Sequence, residues 1–210
     1  MSEKNWWDSN GIDWANYIRS YGEGVGFPSR TWFANHMKKN PQWSVLDVGA
    51  GGGIEYESLI TYIPDLKYKG VDYAETAIEY CKKAFPETEW AVEDARTLAG
   101  IGDLSFDVVL LRHTLDHIDD WESALRAAWR VARKEVVVIL WPTTFDNVRE
   151  HTLQSHGNDG WFRMFSRPAL INWCALNLDS ESVNVTLIPA TGVPGREYRT
   201  DTCFVIKKKQ

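Results

Sequence analysis

The chain has 210 residues, 44% of them hydrophobic and 25% charged, with a formal net charge of -6. Such a balance fits a folded domain and excludes disordered and fibrous classes, while the acidic surplus opposes general nucleic-acid binding, which needs a basic face. No window approaches the roughly 18 consecutive apolar residues of a membrane span. The opening Met1-Ser2-Glu3-Lys4 also lacks the apolar run of a secretory signal, so a cytoplasmic protein without membrane contact is expected.

Residues 1–42 are unusually aromatic, with Trp6, Trp7, Trp14, Tyr17, Tyr21, Phe27, Trp32 and Phe33, and read as an N-terminal helical cap. Ser44-Val45-Leu46-Asp47-Val48 is then a short β-rich run with the continuous apolar character of a buried parallel strand. It ends in Gly49-Ala50-Gly51-Gly52-Gly53, after which 54–62 has helical spacing closed by Pro64. A second strand over 68–71 ends at Asp72, and a helix over 74–85 is stopped by Pro86. Brief strand 90–92, strand 106–111, amphipathic helix 120–132 and β-branched strand 135–141 continue the alternation.

Strands and helices alternating at this spacing predict an α/β fold: a doubly wound, mostly parallel seven-stranded sheet built from right-handed crossovers. The polar stretch 142–160 reads as a long connection at the ligand-binding ends of the strands. A helix over 168–178 and two strands over 183–188 and 202–206 complete the sheet. The whole is expected to be a single domain, with a cap (1–42), a cofactor-binding core (43–141) and a substrate-side remainder (142–210). Cys81, Cys174 and Cys203 are odd in number and far apart, so they read as buried, reduced thiols with neither a disulfide framework nor a zinc-ligand pair.

The glycines after the first strand let the backbone turn sharply and approach a ligand, and the following helix offers unpaired N–H groups. The dinucleotide pattern G-x-G-x-x-G fails, because its third glycine falls on Ile54. What stands here is an acid followed by alternating glycines: Asp47, Gly49, Gly51 and Gly53. With these residues the sequence resembles the class I S-adenosylmethionine-dependent methyltransferases of small-molecule, methyltransferase type 11-like character, whose fold is Rossmann-like. The resemblance spans about 44–141 and implies that Asp72 accepts hydrogen bonds from the cofactor's ribose hydroxyls. By the same resemblance Asp94 and the backbone of Ala95 meet the adenine, S-adenosylhomocysteine is the product, and the enzyme is a transferase.

The fourth strand runs into Leu111-Arg112-His113-Thr114-Leu115-Asp116-His117. No Asn-Pro-Pro-Tyr stands there, which argues against the branch that methylates amide or nucleobase amino groups. His113 is the candidate catalytic base, since neutral imidazole accepts a proton near pH 7. His113 and His117 lie four apart but lack a third ligand, so no metal is assigned.

Tyr17, Tyr21, Trp141, His151, Trp161 and Arg163 are candidate walls of an acceptor pocket. The expected function is transfer of a methyl group to an O, N or C atom of a small or medium-sized acceptor by direct in-line displacement; oligomeric state is left open. Two alternatives are an NAD-dependent oxidoreductase, which would share the glycine loop and Asp72, and a non-catalytic S-adenosylmethionine-binding regulatory protein.

Overall fold

A computed structural model of the chain describes residues 23–141, 144–146, 151–155, 161–195 and 199–209, with three isolated positions before them. The first strand, β1 (Val45–Val48), is buried along its whole length and pairs in parallel with β2 (Tyr68–Asp72) and β4 (Phe106–Arg112). With neighbours on both edges and helices on both faces it meets no water, which is why its sequence is apolar apart from Asp47.

Strand β3 (Glu89–Val92) adds outside β2, and β5 (Ala132–Leu140) adds outside β4. Beyond β5 the direction reverses: β10 (Thr200–Lys208) is antiparallel to β5 and to β9 (Ser180–Pro189), giving the order β3-β2-β1-β4-β5-β10-β9. The expected seven-stranded, mostly parallel sheet is therefore present.

Strand alternation divides the core into two layers. Val108 and Leu110 of β4 join Val137 and Ile139 of β5 on one face, packed with α1 (Pro28–Met37), α2 (Ile54–Ile60) and α3 (Glu75–Ala84). Val109, Leu111, Val136 and Val138 point the other way, onto α4 (Trp121–Val131) and α5 (Arg167–Asn177). The amphipathic pattern of 120–132 serves this second face: Ala124, Leu125, Ala128 and Val131 are buried, and Asp120 caps the helix through Ser123 N–H.

The connection after β5 differs from its expectation. Its described parts hold β6 (Thr144–Phe145) and β7 (Thr152–Ser155), which flank β8 (Trp161–Ser166) in a small three-stranded sheet. Polar composition suggested a loop there, but strands this short draw on the partner across the ladder more than on their own residues. Trp6, Trp7, Trp14, Tyr17 and Tyr21 of the expected aromatic cap lie outside the described residues. All three cysteines are free and buried, as the sequence suggested, and burial pushes the Cys174 thiol up to about 12.

Beneath β1 and β2, Tyr56, Tyr68, Phe85 and Trp90 form an aromatic cluster with ring centroids 5.0 to 6.0 Å apart. Trp90 is fixed by its indole N–H, which donates to the Phe85 carbonyl at 3.0 Å. A Cβ at Gly70 would lie 2.1 Å from this ring. Gly70→Ala should therefore overpack the cluster and cost about 1–3 kcal/mol with secondary structure retained. Urea unfolding followed by circular dichroism checks this; an unchanged midpoint would mean that the indole moves aside freely.

Candidate active site

Parallel register places the carboxyl ends of β1, β2 and β4 side by side, Val48 standing opposite both Val71 and Leu111. A cavity opens at these tips. Its wall includes Asp47, Gly49, Ala50, Gly51 and Gly52 from β1 and its loop, Asp72 and Tyr73 at the end of β2, and Glu93, Asp94, Ala95 and Arg96 after β3. Arg112, His113, Thr114 and His117 follow from β4, with Arg30, Glu55 and Trp141 completing one side.

The glycines of the loop do different jobs. Gly49 has φ of 78°, and a Cβ on it would strike Thr114 Oγ1 at 2.3 Å, where that hydroxyl donates to the Val48 carbonyl. Gly51 also has positive φ, 52°, but a Cβ there would meet nothing within 4 Å, so its backbone borders open space in the cavity wall. Gly53 stands next to the wall residues Gly52 and Ile54 but is not itself one of them. It takes the left-handed conformation at the start of α2, and a Cβ would collide with Phe85 at 2.7 Å, so its bare backbone serves close helix packing.

Asp72 is held from two sides, accepting from Gly51 N–H through Oδ2 and from Ala74 N–H through Oδ1, each at 2.8 Å. The carboxylate thus ties the glycine loop to the start of α3, and it has the capacity to accept about four hydrogen bonds. Asp94 takes a bidentate grip from Arg96, at 2.7 to 3.1 Å, plus the Arg96 N–H at 2.9 Å. Those hydrogen bonds hold its carboxyl below the usual range. Asp47, buried at 2% exposure, accepts from the Tyr68 hydroxyl at 2.5 Å. Burial and the nearby Glu55 charge raise it to about 7.

His113 sits in the cavity wall with φ of 51°, an uncommon state for a residue with a Cβ. Its ring stacks on Trp141 at 5.4 Å. Nε2 lies 3.2 Å from Asp201 Oδ2 and Nδ1 lies 3.4 Å from Arg112 Nη1. Burial, then the Arg112 charge, pulls its proton affinity down to about 3. Neutral imidazole with Nε2–H donating to Asp201 and Nδ1 facing the arginine is the tautomer this network assigns. The ring that sequence reasoning offered as a base is thus engaged at both nitrogens.

Behind it runs a buried charge network that sequence reasoning missed. Arg30 Nη1 pairs with Glu55 at 2.5 Å, and Arg112 Nε lies 3.5 Å from the same carboxylate. Arg112 Nη2 donates to Ser29 Oγ at 3.0 Å, and Ser29 donates to Asp201 at 2.6 Å. Arg199 donates to Asp201 Oδ1 at 2.8 Å, pairs with Glu23, and stacks over Phe27 and Trp141. Nothing in local periodicity marks these residues, since their partners are up to 172 positions away.

Of the expected acceptor walls, Trp141 lines the cavity, whereas His151 and Arg163 do not. His151 packs against Trp121 and Phe165, and Arg163 donates to the Asp119 carbonyl. Tyr17, Tyr21 and the Trp161 side chain lie outside what is described. Among the described residues, no group of three His, Cys, Asp or Glu is placed to hold a metal ion, and no helix is long and apolar enough to cross a membrane.

Residues 46–140 match the family model described as a methyltransferase domain. Over 110 residues the chain is 34% identical to a ubiquinone biosynthesis O-methyltransferase from Hahella chejuensis, covering 50% of this chain and 45% of that protein. A protein of the same name from Methylococcus capsulatus is 30% identical over 126 residues, 58% of this chain and 52% of its own length. The chain thus spans about half the length of these curated relatives. Among solved structures, magnesium protoporphyrin IX methyltransferase from Synechocystis, with bound S-adenosylhomocysteine, superposes with a TM-score of 0.70 at 14% identity, over 98% of both chains. A possible histamine N-methyltransferase from Thermotoga maritima gives 0.68 at 18% identity, over 98% of this chain and 99% of that one. These likenesses establish the fold.

The buried histidine has a pH signature. His113 takes up protons at 6.5 when unfolded and only near 3 when folded. The unfolded chain binds more protons between those values, so this contribution to stability is complete above 6.5 and is lost as pH falls toward 3. Asp47 acts oppositely: raised from 3.8 to about 7, it favours folding in acid and loses that contribution as pH rises through about 7. His113→Gln removes the first effect and leaves the second. Urea unfolding at pH 7.5 and 4.5 should show a smaller acid loss in the variant than in the parent; equal losses would mean that the folded ring protonates normally.

Proposed function

We propose that residues 46–140, which match the model of a methyltransferase domain, form an S-adenosylmethionine-dependent methyltransferase domain, and that the chain transfers a methyl group from S-adenosylmethionine to a small or medium-sized acceptor. The observation that carries this reading is the convergence of three strand tips on one cavity, where the open backbone at Gly51, the doubly anchored Asp72 and the Asp94-Ala95 turn stand together. These residues suit the cofactor: acceptor oxygens for a diol, bare backbone for close approach, and polar and backbone groups for a base edge. When bound, S-adenosylmethionine supplies an activated methyl group that leaves its sulfonium by in-line displacement.

The protein's own work is then to bind, orient and exclude water. Asp72 accepts from the ribose hydroxyls while its two backbone donors keep the carboxylate from swinging away. Ala95 offers its backbone to the adenine, with Asp94 held beside it by Arg96. Trp141 and His113 present a stacked aromatic face, and carboxylates and ring faces together suit a cation.

His113 keeps its place as the catalytic candidate in a narrower form. With its conjugate acid near 3, the ring walls and polarises the transfer end and does not store a proton at neutral pH. The names of the curated relatives support an oxygen acceptor, and screening phenols and other hydroxyl compounds for S-adenosylhomocysteine release tests that choice. The third glycine of a dinucleotide site is absent, Ile54 being buried there in the first turn of α2, which disfavours the oxidoreductase alternative.

Calorimetry with S-adenosylhomocysteine should show one-to-one binding. Asp72→Ala should weaken it by about 1.5–3 kcal/mol, the loss expected for charged hydrogen bonds to a ligand, while Asp72→Asn keeps an acceptor and loses less. Unchanged affinity in the Ala variant would reduce Asp72 to an anchor for Gly51 and Ala74, and absence of binding by the parent protein would overturn the cofactor assignment.

A further inference from the structure

The cavity takes up the carboxyl ends of the parallel strands, and the opposite end of the sheet has a chemistry of its own. There β1, β2, β4 and β5 begin, α1, α3, α4 and α5 finish, and the antiparallel β10 ends. All ten described lysines stand at this far end. Lys38 and Lys39 follow α1 and Lys82 and Lys83 close α3, places where the field of a helix C-terminus favours cations. The others flank strands, where no such field acts: Lys67 and Lys69 at the start of β2, Lys134 at the start of β5, and Lys207, Lys208 and Lys209 at the end of β10.

Lysines and arginines keep different company. Arg30, Arg96, Arg112 and Arg199 at the cavity end pair with carboxylates, and at the far end Arg130 and Arg133 pair with Asp103 and Asp107. Among the lysines, Lys69 pairs with Glu89, Lys209 with Asp179, and Lys208 lies over the Trp129 ring at 4.8 Å. Lys39, Lys67, Lys134 and Lys207 make no ion pair with the described residues, and all but the half-buried Lys134 are exposed.

Two leucines stand out of the same surface. Leu104, in the turn before β4, is 52% exposed and has φ of 51°, a costly state for a residue with a Cβ. Its N–H donates to the Arg130 carbonyl at 3.0 Å and its carbonyl accepts from Arg133 Nε at 3.1 Å, so the turn that presents the side chain to water is fastened on both sides. Leu176, in the last turn of α5, is 76% exposed. Leu104 leads into β4 and Leu176 toward β9, and the order β4-β5-β10-β9 sets those strands about 15 Å apart, with Lys134 and Lys208 between them.

Unpaired lysines call for a partner of negative charge, and outward leucines call for an apolar layer within their reach. An anionic bilayer offers both at once, whereas a nucleic-acid backbone answers the lysines alone. The net charge of -6 does not oppose this contact. Asp94, Asp119 and Asp120 lie at the cavity end, and the nine residues of β5 span about 30 Å, several times the ~8 Å over which charge acts in physiological salt.

We propose that the end of the sheet opposite the cavity docks on the surface of an anionic phospholipid bilayer, with Leu104 and Leu176 entering the headgroup layer and the lysines facing the lipid phosphates. The cavity then opens away from the bilayer, so its ligands reach it from water. The sequence expectation of no membrane contact rested on the lack of a spanning segment, which bears on insertion and not on surface contact. The inference stands apart from the cofactor reading.

Sedimentation of the full chain with vesicles tests it. Vesicles of phosphatidylcholine with about 30% phosphatidylglycerol should bind the protein at least about tenfold better than phosphatidylcholine alone, and about 1 M salt, which shortens screening to ~3 Å, should release it. Lys39→Gln, Lys67→Gln and Lys207→Gln combined should weaken binding about tenfold or more. Leu104→Asn, which suits left-handed backbone, combined with Leu176→Gln should weaken it about fivefold or more while keeping the parent's salt dependence. All five positions are exposed, and a urea midpoint close to the parent's confirms that each variant is folded.

Equal binding to the two kinds of vesicle, or binding to neither, overturns the proposal, as does a lysine variant or a leucine variant that binds like the parent. A single-stranded RNA oligonucleotide is the third arm of the test. Lysine-dependent binding to RNA by a parent protein that ignores anionic vesicles overturns the bilayer in favour of a nucleic acid.

Discussion

A closed ring of buried charged and polar groups fastens four distant parts of the chain behind one wall of the cavity. Glu23 pairs with Arg199, Arg199 with Asp201, Asp201 with Ser29 and His113, Arg112 with Glu55, and Glu55 with Arg30, whose Nε returns to the Glu23 carbonyl. Charges withdrawn from water need partners of opposite sign in good geometry, and removing one member strands its neighbour. The ring therefore couples α1 and the segment before it, the start of α2, the tip of β4 and the start of β10. The cavity wall inherits its shape from that coupling.

The same ring decides what His113 can be. Its left-handed backbone and its stack on Trp141 set the imidazole between Arg112, Arg199 and Asp201, so burial, Arg112 and Arg199 disfavour the charged ring and outweigh the opposing pull of Asp201. Asp201 answers by staying ionised far below the usual carboxylate range, drawn down by His113, Arg199 and Arg112 against its burial. A histidine in such company acts as a shaped, polar surface. Methyl transfer by displacement asks mainly for such surfaces, because no enzyme-bound intermediate is needed and alignment supplies most of what a protein can contribute.

On the same face of the sheet as α1 and α2, the aromatic cluster under β1 does for Asp47 what the ring does for His113. Tyr68 donates to the acid, Tyr56 and Trp90 pack against Tyr68, and Phe85 packs against both of them, so the acid of the glycine motif is held from below. Gly53 belongs to this support, since Phe85 occupies the space that a side chain there would need. The alternating glycines thus serve two surfaces: Gly49 and Gly51 border the cavity, and Gly53 borders the core.

The amino-acid sequence by itself determined the parallel sheet, the glycine turn and the acids that follow β2 and β3, because those features are written in short-range patterns. Apolar runs, periodicity, φ-permissive glycines and strand-end carboxylates all act within a few residues of one another. Tertiary structure alone decided the charge ring, the engagement of both His113 nitrogens, the bidentate Arg96 on Asp94 and the removal of His151 and Arg163 from the cavity. Glu55 reads as an ordinary first-turn acid until Arg30 and Arg112 are brought beside it. Burial and pairing are properties of the folded neighbourhood, and ionisable side chains take their chemistry from that neighbourhood.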